Sequence, residues 1–380
     1  MLLINTPNRN INTHQTKPVT HSFWGFIHID FPLLLGILLL VCMGLFILYS
    51  SSSSNIIVVQ KQLIHLGLAM GVMFIFAQIP PIVYQRWAFW IYVVGVVLLF
   101  AVLLIGHTGK GAERWLNLGI FRFQPSEIMK LALPLFLAWH FHKIHLPLTT
   151  RAITFAIVMI LFPALLAAKQ PDLSTAFLLV VAGFSVLFLA GLGWRIITLA
   201  LGLAALAAPI LWYFMHDYQK KRIFTFLNPE RDPLGSGYHI IQSKIAIGSG
   251  GLFGKGWLNG TQSHLHFLPE NSTDFIFAVC GEEFGFIGSL TLIIFFMIIV
   301  LRCLYITINA QDTFSRLLAG SLTFTFFVSF FTNMGMVTGI LPVMGLPLPL
   351  VSYGGSSMVT LMASFGILMS IQTHRKLLTT

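Results

Sequence analysis

Charge is what this chain has least of: Lys, Arg, Asp and Glu make up 9% of its 380 residues, and only 12 residues are acidic. Soluble domains carry about 25% charged residues, so an ordinary water-soluble globule is excluded. Cysteine is also scarce. Cys42, Cys280 and Cys303 all fall within apolar runs and have no metal-ligand spacing, so they read as small packing residues. No internal repeat with a period of about twenty to fifty residues is present, which excludes a solenoid or propeller.

In place of charge there is hydrocarbon. The chain is 56% hydrophobic, with a mean hydropathy of +0.85, against about 45–50% apolar residues in soluble domains. Apolar runs of roughly 18 or more residues read as membrane-crossing helices. Ten spans are expected, at 31–50, 57–79, 87–106, 127–142, 152–169, 173–191, 195–215, 275–301, 314–334 and 352–372. The fold class is therefore an all-α integral membrane protein with ten transmembrane helices over 31–372, between tails at 1–30 and 373–380. The N-terminal tail carries His14, His21 and His28. It is not a cleavable signal, because the apolar run after it is of full spanning length.

Basic residues orient the chain, since short cytoplasmic loops collect Lys and Arg. Arg9, Lys17, Arg86, Lys143, Arg151, Arg195, Arg302, Arg316, Arg375 and Lys376 fall on one side; the short loops of the other hold only Lys110, Arg114, Arg122 and Lys169. Both termini are then cytoplasmic, and the one large loop, 216–274 between helices 7 and 8, is extracytoplasmic. The net charge of +10 is scattered over both faces instead of forming a stripe, which points away from nucleic acid and toward anionic lipid headgroups or a lipid-linked phosphate.

Within the large loop, Tyr238, Ile241 and Ile245 recur at helical spacing against Gln242 and Lys244, predicting a short amphipathic helix along the membrane surface. Gly248-Ser249-Gly250-Gly251-Leu252-Phe253-Gly254-Lys255-Gly256 follows. It resembles a phosphate-binding loop only superficially, lacking the Gly-Lys-Ser/Thr ending and a preceding strand. Near the C-terminus, Leu341-Pro342-Val343-Met344-Gly345-Leu346-Pro347-Leu348-Pro349 has three prolines and no charge, so it is expected to dip back into the protein. Ser352-Tyr353-Gly354-Gly355-Ser356-Ser357 is then expected to open the last helix. Ser352 and Ser356 could donate to a ligand, or simply pack helices.

Ionisable residues gather at the outer boundary, where each has a bland reading beside a chemical one. Glu127 and Lys130 share a helix face and could be only an ion pair. Arg114 and Trp115 could be an interfacial anchor. Asp172 could merely cap the helix after it. Glu270 and Asp274 close the large loop, and Glu282 and Glu283 follow two turns on, adjacent in sequence and so expected on different faces. Such charges converging on one cavity would suit a transporter that uses them as ion relays. They would equally suit a transferase acting on a lipid-linked sugar diphosphate, with cations steadying the leaving diphosphate and a carboxylate deprotonating the attacking hydroxyl. Composition and spacing leave the two open.

The motifs Gly111-Ala112-Glu113-Arg114-Trp115-Leu116-Asn117-Leu118-Gly119, Gln124-Pro125-Ser126-Glu127, Lys169-Gln170-Pro171-Asp172-Leu173-Ser174-Thr175-Ala176, the loop ending in Asp274, and Pro347 to Ser357 resemble the SEDS family (shape, elongation, division and sporulation). Residues 260–270 are more similar to its elongation branch than to its division branch. The resemblance implies a peptidoglycan glycosyltransferase that polymerises lipid II into β-1,4-linked glycan on the outer face of the bacterial cytoplasmic (inner) membrane, releasing undecaprenyl diphosphate. It implies as partners lipid II, the lipid-linked nascent glycan and a class B penicillin-binding protein. It makes Asp274 the catalytic residue and places Arg114, Trp115, Glu127, Lys130 and Asp172 in the substrate cavity, to which the residue reading adds Glu270, Ser352 and Ser356. Asn271-Ser272 departs from the family, where a basic residue is common. No dedicated cofactor is expected. A divalent cation, Mg2+ or Mn2+, could assist at the diphosphate, but no metal-ligand cluster is evident. The alternatives are a lipid II flippase and a non-catalytic scaffold for the penicillin-binding protein.

Overall fold

The computed structural model describes residues 28–375, apart from 106, 110–111, 118–121, 145–147, 216, 232, 234–236, 266 and 269. The expectations for residues 1–27 and 376–380 lie outside that range. Each of the ten apolar runs contains a helix: α1 (Phe31–Ser51), α2 (Ile56–Gln78), α3 (Pro81–Ile105), α4 (Pro125–His142), α5 (Thr150–Lys169), α6 (Leu173–Leu189), α7 (Trp194–Phe214) and, later, α11 (Ile276–Ile308), α12 (Thr313–Val337) and α13 (Ser356–Thr373). Seven of them, α1, α2, α3, α5, α11, α12 and α13, are long and apolar enough to cross a bilayer, and α6 is apolar but shorter. The long connection folds into α8 (Asp217–Leu227), a 3-10 turn at Pro229–Arg231, α9 (Tyr238–Gly250) and α10 (Thr261–His264).

Local chemistry sets many of the helix starts. Asp30, Asn55, Thr149, Asp172 and Asp312 each accept a backbone N–H from the first turn of α1, α2, α5, α6 and α12, satisfying donors the helix itself leaves unpaired. The bundle closes around rings such as Phe296, which stacks on Phe330 with centroids 4.6 Å apart. Large apolar side chains such as Leu104 and Leu206 face outward, 72% and 75% exposed. That outward apolar surface suits hydrocarbon and would be a liability in water.

The all-α architecture holds, and four finer points differ from expectation. First, one connection is not helical. The connection between α3 and α4 carries a small antiparallel sheet in the order β1-β2-β3, made of β1 (His107–Gly109), β2 (Ala112–Asn117) and β3 (Arg122–Phe123). A chain that turns back at the bilayer surface must pair its own backbone groups, and short strands do so. Second, α9 exists but buries a different face. Ile240, Ser243, Ala246 and Gly250 are buried while Ile245 is exposed. Close helix contact selects small residues over large ones: a Cβ on Gly250 would lie 2.0 Å from the Gly281 carbonyl oxygen of α11. Third, α13 starts at Ser356, so Ser352–Gly355 belongs to the preceding loop. Fourth, Glu282 and Glu283 converge. A Cβ on Gly260 would sit 3.1 Å from Glu282 Oε2 and 3.0 Å from Glu283 Oε1, because long side chains swing from neighbouring faces toward one point.

The glycine run has a structural use. α11 breaks at Gly285, whose φ is 65°. In an unbroken helix the Phe286 and Ile287 amides would donate to the Glu282 and Glu283 carbonyls. Here Lys255 N and Gly256 N donate to those carbonyls, both at 3.0 Å, while Phe286 N and Ile287 N donate to Gly251 O and Leu252 O at 2.9 and 3.2 Å. The loop is thus spliced into the helix and replaces the two hydrogen bonds that the break removes. Glu282 tightens the splice, accepting from Lys255 Nζ at 2.8 Å and from Thr261 Oγ1 and Gln262 N at 3.0 Å.

Candidate active site

Asp274 lies two residues before the start of α11, in a partly exposed position. Its backbone is held by groups from distant parts of the chain. Asn333 of α12, fully buried, donates through Nδ2 to the Asp274 carbonyl at 2.8 Å and to the Leu346 carbonyl at 2.6 Å. Ser352 Oγ donates to the Thr273 carbonyl at 2.6 Å and accepts from Leu348 N at 2.8 Å, and Tyr353 N donates to Ser272 O at 2.9 Å. The charge-free proline loop therefore does fold inward, with Leu346, Leu348, Leu350 and Val351 buried. It presses Gly345 against the carboxylate: a Cβ there would lie 3.4 Å from Asp274 Oδ2. Gly345 has φ 72°, a left-handed conformation that glycine adopts at little cost.

The other side of that loop meets α6. Ser174 Oγ hydrogen-bonds the Met344 carbonyl, two residues from Asp172. Asp172 is 2% exposed and caps α6, accepting from Thr175 N at 3.1 Å and Thr175 Oγ1 at 2.9 Å. It also accepts from Gln124 Nε2 at 2.9 Å, which ties it to the start of α4. One turn into α4, Glu127 Oε1 and Lys130 Nζ pair at 2.7 Å. The Glu127 carboxylate is almost fully buried, and its Oε2 has no hydrogen-bond partner among the described residues. Breaking a buried pair from one side leaves a bare charge. Lys130→Met should therefore cost on the order of 3 kcal/mol, read as a lower melting temperature in detergent, with Glu127→Gln in the same protein recovering part of the loss.

Glu270 is exposed, with φ 55°, and its Oε2 accepts from Thr273 Oγ1 at 2.8 Å. Ser356 opens α13 and is partly exposed, next to a Gly355 that faces the His65 ring. Arg114 and Trp115 sit on β2 by their backbone, and their side chains lie outside the described residues. Asp172, Glu127, Lys130, Glu270, Ser352 and Asp274 thus belong to one connected framework, in which Ser352 serves as a backbone clamp.

Several supporting groups escape a reading by motif. Asn333 is a single amide in a run of Phe, Thr and Met, and its isolation in an apolar helix was the available signal. His239 of α9 lies over Phe275 with ring centroids 5.8 Å apart and planes 17° from parallel. Burial pushes its imidazole below the ordinary histidine range, and the Glu270 charge partly offsets this.

Comparison with known proteins follows the same lines. The FtsW/RodA/SpoVE family model, described as "Cell cycle protein", matches residues 30–377. The peptidoglycan glycosyltransferase MrdB of Escherichia coli is 51% identical over 363 residues, covering 95% of this chain and 98% of that protein. A probable peptidoglycan glycosyltransferase FtsW of Trichlorobacter lovleyi is 39% identical over 364 residues, covering 92% and 94%. Among solved structures, a chain from a peptidoglycan synthase complex that coordinates polymerization and crosslinking superposes with a TM-score of 0.81 at 29% identity, covering 92% of this chain and 99% of that one. The rod shape determining protein RodA of Thermus thermophilus gives 0.70 at 27% identity, covering 92% and 98%.

Proposed function

Because the chain belongs to the FtsW/RodA/SpoVE family, we propose that it is a peptidoglycan glycosyltransferase that polymerises lipid II during cell elongation. The observation that carries this reading is Asp274 itself: a carboxylate at the head of α11 whose backbone is clamped by Asn333 and by the loop fixed through Ser352. A reacting group held by its supporting structure loses little freedom when substrate binds.

In the reaction, the lipid-linked glycan is the donor and a second lipid II is the acceptor. Asp274 takes the proton from the 4-hydroxyl of the acceptor N-acetylglucosamine. The freed oxygen attacks the donor anomeric carbon from the face opposite the diphosphate, the C1–O bond breaks, and the diphosphate leaves with the electron pair. The configuration inverts, giving the β-1,4 link. Ordinary glycosides need a second carboxyl to protonate the departing alcohol. A diphosphate departs as a stable anion, so one base with nearby cations suffices. Lys130 and Arg114 fill the cation role, with Glu127 holding Lys130 in place. Among the described residues, no three His, Cys, Asp or Glu side chains gather so as to hold a metal ion.

The same reading gives ten membrane crossings with both termini cytoplasmic and Asp274 at the outer face of the inner membrane. It makes a class B penicillin-binding protein the partner that crosslinks the product. Purified protein, with and without that partner, should convert labelled lipid II into polymer that muramidase digests. Transfer of lipid II across vesicles without polymer would instead support a flippase. Loss of polymer only when partner-binding surfaces are altered, with Asp274 dispensable, would support a scaffold.

A further inference from the structure

α2 turns a narrow face to the bundle and a broad one to the lipid. Ile57, Leu63, Ile64 and Leu68 are exposed, while Gln62, Ala69, Met73 and Ala77 are buried. Gln62, 2% exposed, is the polar exception on that buried face, and a buried amide costs free energy unless it is hydrogen-bonded. Both of its ends are used, on the same strip of chain. Nε2 donates to the Ser352 carbonyl at 3.2 Å, and Oε1 accepts from Gly354 N at 3.3 Å. These partners fix which way the amide points, since the reverse orientation would set donor against donor and acceptor against acceptor. Gln62 thereby brackets Tyr353, holding the residue before it and the residue after it. The same strip holds the residues before Asp274: Ser352 Oγ donates to the Thr273 carbonyl at 2.6 Å and Tyr353 N to Ser272 O at 2.9 Å.

We propose that Gln62 is a positioning residue for the transfer: it sets where the Asp274 carboxylate stands, through Ser352 and Tyr353, without touching substrate. The proposal rests on the glycosyltransferase reading above. Proton transfer needs the base within hydrogen-bond reach of the acceptor hydroxyl, and a catalytic group has to be held to within about 0.5 Å of its productive place. Asp274 stands in a turn before α11, outside any helix, so its place depends on the ties made to the chain around it. Asn333 ties the Asp274 carbonyl to α12. Gln62 supplies a tie to α2, by way of the 352–354 strip. Cutting that tie lets Ser352 shift, and Thr273 and Asp274 shift with it. A displacement of about 1 Å, even from a change far from the chemistry, can cost about a hundredfold in rate.

The test uses the purified full-length protein, with a preformed lipid-linked glycan saturating as donor and labelled lipid II varied as acceptor. Gln62→Met keeps the length of the side chain and removes both hydrogen bonds. Its kcat should fall between about tenfold and a hundredfold, while the lipid II KM stays within about twofold. Ser352→Ala cuts the same path, so the double variant should fall no further than the worse single one, whereas residues that act separately multiply their losses. If Gln62→Met folds poorly, Gln62→Glu decides the matter. Its buried carboxyl donates and accepts as the amide does when neutral, and when ionised it has nothing to donate to the Ser352 carbonyl. The kcat of Gln62→Glu relative to wild type should therefore fall as the pH rises from about 6 to about 9. A wild-type kcat in Gln62→Met, a raised KM at unchanged kcat, multiplied losses in the double variant, or a flat Gln62→Glu ratio would each overturn the positioning role. Polymerisation that survives Asp274→Asn defeats the underlying reading instead, whatever the Gln62 variants do.

Discussion

Asp274→Asn is expected to lower lipid II polymerisation by about 10²–10⁴-fold, the usual loss on removing a general base. Asparagine has nearly the same shape, and two hydrogen bonds that position this segment use backbone carbonyls that the substitution leaves in place: Asn333 Nδ2 donates to the Asp274 carbonyl, and Ser352 Oγ to the carbonyl before it. The melting temperature should therefore stay within a few degrees of wild type while the rate collapses. Reading both on one preparation separates chemistry from folding. A variant that polymerises at the wild-type rate, free of contaminating polymerase, would remove Asp274 from the mechanism.

Gly254→Val is expected to abolish folded protein. A Cβ at Gly254 would lie 2.1 Å from the Glu283 carbonyl oxygen and 2.7 Å from Gly285 N, and its φ is 80°. Backbone on both sides leaves nothing flexible to give way, and a β-branched side chain at positive φ adds strain of its own. The splice would have to open, exposing the Glu282 and Glu283 carbonyls and the Phe286 and Ile287 amides that it pairs. At about 1–3 kcal/mol for each buried group left unpaired, the sum is comparable to the whole stability of a typical domain. Gly248→Ala is the matched control, since a Cβ there meets nothing within 4 Å. Size-exclusion chromatography in detergent should give a monodisperse peak for the control and aggregate for Gly254→Val. Equal peaks would mean that the splice is dispensable.

The large features were legible because they depend on local pattern. Apolar runs become helices in lipid whatever they pack against, and Asp172 caps α6 through residues within three of itself. The pairing of Glu127 with Lys130 is likewise set by helical spacing. What escaped depends on contacts between residues far apart in the chain. The buried face of α9 follows from where Gly281 offers a groove, which no periodicity in residues 238–250 reveals. The glycine run takes its role from hydrogen-bond partners thirty or so residues downstream, which no local motif in it reveals. Asn333 holds Asp274 across 59 residues of sequence. The motif resemblance did reach the aspartate, but not the scaffold that aims it.

The break at Gly285 also sets a height. α11 has 33 residues, about 50 Å at 1.5 Å per residue, far more than the roughly 30 Å of a hydrocarbon core. Residues 286–308, after the break, account for about 34 Å by themselves, enough to cross it. The nine residues before it, 276–284, add a segment about 13 Å long along its own axis, with Asp274 two residues before its first turn. On the proposed topology that segment separates the base from the membrane crossing, and it then serves as a spacer that matches the carboxylate to sugars clear of the headgroups.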